Sequence, residues 1–167
     1  MSLPEPWLRG PVEGVDPWLM PAAHALLQAR EDLVRVAREL TVEQVWSRPA
    51  GAASVGFHLR HVAGSIDRLL TYAAGRQLSA EQMAMLRAEG EPGDPPADAA
   101  ACLAIALAGF DQALAVLRTT PHASLLEPRE VGRARLPSNV LGLLFHVAEH
   151  TQRHVGAVVA TARWVRE

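Results

Sequence analysis

His150 and His154 stand four residues apart in the stretch Phe145-His-Val-Ala-Glu-His-Thr-Gln-Arg-His-Val-Gly156. On an α-helix that spacing sets two side chains one above the other, about 5–6 Å apart at Cβ. Two imidazoles so placed can share one metal ion. An open catalytic site usually takes three protein ligands, so another segment has to contribute. Phe57-His-Leu-Arg-His-Val-Ala63 is the candidate donor, and both of its histidines, His58 and His61, can look inward from a helix.

Placement strengthens the pair. Val147, His150, His154 and Val158 form one row by helical spacing, so the two imidazoles project from a stripe that is otherwise apolar. Burying a neutral imidazole without a partner costs about 1–3 kcal/mol, and a metal would satisfy both rings. On the other segment Ser65, Arg68 and Tyr72 follow His61 on its own face, which reads as the wall of a polar pocket. The alternative for Arg68 is that it snorkels to solvent. A competing motif overlaps the pair: His146-Val-Ala-Glu-His150 matches the His-x-x-Glu-His pattern of inverted zinc proteases. That choice turns the site away from His154 and leaves the row unused, so His146 and Glu149 are placed on the flank of the helix.

The elements that must position these residues are helices. Residues 21–40 have helical period, with Pro21 where its missing N–H does no harm. Ser54 is a natural N-cap for a helix over 54–75 carrying the stripe Val55, Leu59, Val62, Ile66, Leu69 and Ala73. A bundle seam of Leu103, Leu107, Phe110, Leu114 and Leu117 predicts a third over 97–120, and Ser138 caps a fourth over 138–164. Thr41-Val-Glu-Gln44 and Ser79-Ala-Glu-Gln82 are capping boxes that open two short helices. Between 121 and 137 the chain is irregular, with room for a brief extended pair. Residues 1–20, rich in proline, read as an extended arm packed on the body by Trp7 and Trp18. The expectation is a single all-α domain over 1–167, an antiparallel four-helix bundle with short accessory helices.

Composition narrows the function. With 167 residues the chain can bury one core but scarcely two. A net charge of −2 gives no basic field for displacing counterions from phosphates, so no nucleic-acid partner is expected. Cys102, the only cysteine, excludes an internal disulfide and fits a reducing cytoplasm; its alanine-rich setting suggests a buried hydrophobe. The N-terminus lacks the regions of a signal peptide, and the apolar run Ala99–Phe110 falls short of the ~18 residues of a membrane span. A cytoplasmic protein acting on a small molecule, with no membrane partner, is expected.

The segments Ser54-Val-Gly-Phe-His-Leu-Arg-His-Val-Ala63 and His146-Val-Ala-Glu-His-Thr-Gln-Arg-His-Val-Gly156 resemble the DinB-like superfamily of bacterial four-helix proteins, and the resemblance runs from about Pro21 to Trp164. In that family one histidine of the second helix and a His-x-x-x-His pair of the fourth bind a divalent metal. The matching positions are His61, His150 and His154, while His58 lies one turn ahead of the family's ligand. The family often has His-Arg-Gly-Gln where this chain has His154-Val-Gly-Ala157. The resemblance implies a homodimer, and a metal-dependent enzyme of the thiol-transferase or hydrolase type. Zinc or nickel is the foremost ion, with a low-molecular-weight thiol as a further cofactor. An ion on three imidazoles supplies Lewis acidity for hydrolysis or binds a thiolate for transfer. Arg68, Tyr72 and His58 are the candidate substrate contacts. The alternatives are a non-catalytic, stress-related module that binds a metal or small molecule, and a plain bundle with hydrogen-bonded core histidines.

Overall fold

The computed structural model describes residues 3–167. In chain order the helices are α1 (Met20–Ala37), α2 (Val42–Trp46), α3 (Val55–Ala73), α4 (Ala80–Ala88), α5 (Ala99–Thr119) and α6 (Val140–Trp164). An antiparallel hairpin of β1 (Pro128–Val131) and β2 (Leu136–Asn139) connects α5 to α6, with Arg129 opposite Ser138. Three short 3-10 turns, Pro6–Leu8, Pro49–Gly51 and His122–Ser124, complete the set.

Local chemistry explains most helix starts. Thr41 and Ser79 each form a complete capping box with the glutamine three residues on. Ser54 Oγ accepts from the Phe57 N–H at 3.1 Å, and Asp98 Oδ1 from the Ala101 N–H at 2.8 Å. The expected cap at Ser138 is displaced: Ser138 is taken into β2, and Asn139 Oδ1 accepts from the Gly142 N–H at 2.7 Å instead. The first helix stops at Ala37, short of Leu40, because Thr41 must be extended to cap α2.

The arm also departs from expectation. Trp7 and Trp18 are 62% and 55% exposed, so they do not pack the arm down. Pro6, Val15 and Leu19 do that, with Arg9 held on Glu31 at 2.5 and 2.8 Å and the Gly10 carbonyl 2.9 Å from His24 Nε2. Trp18 instead meets His122 edge-on, and His122 Nδ1 lies 2.9 Å from Asp16 Oδ2.

The long helices form a four-helix bundle in which α1 and α3 each pack against both α5 and α6. The direction of each pair follows from its contacts. His58 meets His154 and His61 meets His150, so α3 and α6 are antiparallel. Arg30 pairs with Asp111 while Arg118 lies beside Gly14, so α1 and α5 are antiparallel as well. By contrast Gln152 donates to the Ala25 carbonyl and Arg166 to the Val36 carbonyl, which makes α1 and α6 parallel. The α3 and α5 pair is parallel too: Arg60 neighbours Cys102 and Ala63 faces Gly109. Two parallel neighbours joined in sequence need a return connection along their length. That return is α4, which runs back beside α3: Gln82 bonds Asp67 at 2.7 Å and Glu89 bonds Arg68 at 2.6 Å.

The apolar stretch on α5 continues past Phe110, because Asp111 and Arg118 interrupt it only singly, and by length and composition this helix could cross a bilayer. In the fold it is a core helix, burying Leu103, Ala106, Phe110, Leu114 and Leu117. α2 is tied in by Trp46, whose indole N–H donates to the Ala97 carbonyl at 2.7 Å and whose ring lies flat against Gly56. A Cβ at Gly56 would sit 2.7–2.9 Å from Trp46 Cη2, Cζ3 and Cε3. Gly56→Ala should therefore destabilise the fold by about 1–2 kcal/mol, overpacking outweighing the gain in helix propensity, and the shift in urea midpoint measures it.

Candidate metal centre

Antiparallel packing of α3 on α6 settles which histidines meet. His61, His150 and His154 bring one ring nitrogen each within 4.8 Å of one another, all three half-buried. His61 Nε2 lies 3.0 Å from His150 Nε2. Two imidazole nitrogens that close either share a proton or oppose their lone pairs, and a cation between them removes that repulsion. Nitrogen-only donors facing each other from two helices fit a divalent ion of the zinc or nickel kind.

His61 and His154 each have the other ring nitrogen engaged. His61 Nδ1 lies 2.7 Å from Glu89 Oε2, on the residue that ends α4, and Arg68 Nη1 donates to Glu89 Oε1 at 2.6 Å. Glu89 is 5% exposed. A carboxylate there accepts the Nδ1–H, which fixes the His61 tautomer and leaves the Nε2 lone pair free for a metal. His58 Nδ1 stands 2.9 Å from His154 Nδ1, so the tautomer with a free His154 Nε2 donates its Nδ1–H to His58. The sequence offered no motif for Glu89. Its one signal is Gly64 in the middle of α3, where a Cβ would collide with Glu89 Oε1 and come within 2.6 Å of Arg68 Nη1.

The centre opens on a cavity of about 630 Å³, whose wall includes His61, His150, Arg68 and Tyr72. Of the expected contacts, Arg68 and Tyr72 line it, with Arg68 turned to Glu89 and away from solvent; His58 stands behind the centre against His154. His146 lines the same cavity, its ring 5.4 Å from that of His150, but it is not part of the three-nitrogen donor set. The His-x-x-Glu-His arrangement is thus not the one the fold assembles. His24 and His122 serve the arm.

The sequence profile of the DinB superfamily matches residues 25–158. The chain belongs to the DinB superfamily. A similar solved structure is YfiT from Bacillus subtilis, described as a probable metal-dependent hydrolase with an unusual four-helix bundle topology. It aligns with a TM-score of 0.66 at 16% identity, over 93% of this chain and 92% of that one, a likeness of fold. No curated protein matches the sequence.

In this DinB-superfamily chain the electrostatics favour the neutral form of His58, His150 and His154. Burial first, then the neighbouring His61, His150 and His58, push the His154 imidazole down to about 4. Burial and His61 likewise lower His150 and His58. For Glu89 burial acts upward, but the hydrogen bonds from His61 and Arg68 outweigh it and hold the carboxyl below its usual range. These are the protonation states that metal binding requires.

Two outcomes follow. Glu89→Gln should lower metal affinity by about 10–100-fold, because the amide cannot reproduce a carboxylate partner for His61 Nδ1–H; competition with a chromophoric chelator reads it. Without metal, His154 titrates lower when folded than when unfolded, so the unfolded chain binds more protons between pH 6.5 and about 4. Metal-free stability should thus fall as pH drops through that window. Urea midpoints at its two ends measure the loss, and His154→Gln should lessen it.

Proposed function

We propose that the protein is a metal-dependent enzyme, in which His61, His150 and His154 hold one divalent ion and a small-molecule substrate occupies the adjoining cavity. The observation that carries this reading is that His61 and His150, two of the three nitrogen donors, line a cavity of about 630 Å³, since a structural site would be closed. When bound, the ion supplies Lewis acidity, polarising a carbonyl and acidifying water.

The chain's own residues favour hydrolysis over thiol transfer. His146 lines the cavity with Nδ1 3.1 Å from Glu149 Oε2, and Arg153 holds Glu149 at 2.7 and 2.9 Å. A carboxylate 3.1 Å from Nδ1 favours the tautomer that presents Nε2 as a base, and His146 takes the proton of the attacking water. Arg68, committed to Glu89, stiffens the wall and leaves substrate contacts to Tyr72. Cys102 takes no part: it is fully buried, and burial raises its thiol pKa.

The test is a screen of metal-loaded protein on ester and amide substrates, and separately on bacterial thiols with electrophilic acceptors, with His61→Ala as the blank. Hydrolysis should appear above the blank, and His146→Gln should lower kcat by about 100-fold while metal content is unchanged. Turnover confined to the thiol arm would reassign the reaction to transfer. Equal background from wild type and blank on every substrate, with metal content differing, would leave a non-catalytic binding module.

A further inference from the structure

The cavity beside the three histidines has a second pole. Among the described residues no aspartate or glutamate lines it, and its two arginines differ in what they face. Arg68 is neutralised by Glu89. Arg133, on the turn between β1 and β2, forms no ion pair or hydrogen bond among the described residues, because the acids nearest it along the chain are taken: Glu130 by Arg135 and Glu127 by Arg129. A lone cation on the lip of a cavity without acids sets up a field that favours an anion.

The hairpin that carries this cation docks at the end of α3 remote from His61. His61 and Tyr72, both on α3, line the cavity, and they lie about 16 Å apart along the helix at 1.5 Å per residue. The hairpin docks at the tyrosine end, where Arg129 Nε donates to the Ala73 carbonyl at 2.7 Å. Leu69, Leu78, Met83 and Leu86 make the apolar part of the wall, beside the uncharged polar groups of Ser65 and Gln77. A ligand that matches both poles needs an apolar body and one negative charge at the end remote from the histidines. One partly hydrated guanidinium suits a monoanionic carboxylate, which it can grip with two N–H donors.

We propose that the cavity takes an apolar monocarboxylic acid, its carboxylate on Arg133, its body along Leu69, Leu78, Met83 and Leu86, and its reacting end beside the three histidines. This rests on the reading of the cavity as the substrate site, and it is tested by binding so that the two can fail separately. The full-length protein, metal-loaded and after chelator treatment, is titrated by calorimetry with octanoate, octanol and octylammonium. Octanoate should bind saturably to both forms, roughly tenfold tighter than octanol and with octylammonium weakest. Arg133→Gln, on an exposed turn, should erase the preference for octanoate while leaving octanol affinity as it was. Octanoate and octanol binding alike, or a preference that survives Arg133→Gln, would overturn the assignment. A preference that needs the metal and ignores Arg133 would also overturn it, while leaving the metal centre intact. A preference that depends on Arg133 in a protein without turnover would uphold the site and remove only the catalytic reading.

Discussion

Because α3 and α5 run parallel and side by side, the chain between them has to travel back along their length, and that requirement decides much of the site. The return segment is α4, lying against α3 and ending at Glu89, which reaches the far side of His61. A carboxylate so deeply buried carries a desolvation cost of several kcal/mol unless its oxygens are matched. Both are: one faces His61, the other Arg68. The same close approach leaves no room for a side chain at position 64. Topology, a buried ion pair, a glycine and the tautomer of a ligand histidine are therefore consequences of one another.

A polar cluster in an apolar seam is tolerable only when each group has a partner. Val62 and Ile66 on α3, with Val147 and Val158 on α6, keep the seam dry around the histidines. The rings answer with contacts among themselves and with Glu89, and the burial and crowding that lower the pKa values of His150 and His154 hold those two ready as ligands. The price of that readiness is carried by the metal-free protein.

The helices and the caps of α2, α3 and α4 were legible in the sequence, because a serine or threonine ahead of an apolar period acts on its own next three residues. The histidine pair on α6 was legible for the same local reason. Spacing alone did not say whether His58 or His61 joins it, since both face inward, and only the resemblance pointed to His61; the register of α3 on α6, a long-range quantity, puts His61 opposite His150 and His58 behind His154. Glu89 escaped because it ends a short helix with no buried residue of its own, and only the fold says what lies across from it. Ser138 was misread as a cap because pairing with Arg129 claimed it for a strand that shows no clean alternation. The arm's tryptophans were assigned to the interior by hydrophobicity alone, a rule that does not hold in reverse.

α4 also divides two spaces. Met83 and Leu86 face the cavity at the histidines, while Gln82, Met85 and Ala88 face another of about 400 Å³ against α5. What fastens the helix is chiefly polar: Gln82 on Asp67 and Thr71 at one end, Glu89 on His61 and Arg68 at the other. A partition secured by charge and hydrogen bonds, with little oil behind it, opens at a smaller free energy than the bundle it leans on. Its hold is thus tied to the occupancy of the histidines, whereas the four long helices answer chiefly to temperature and denaturant.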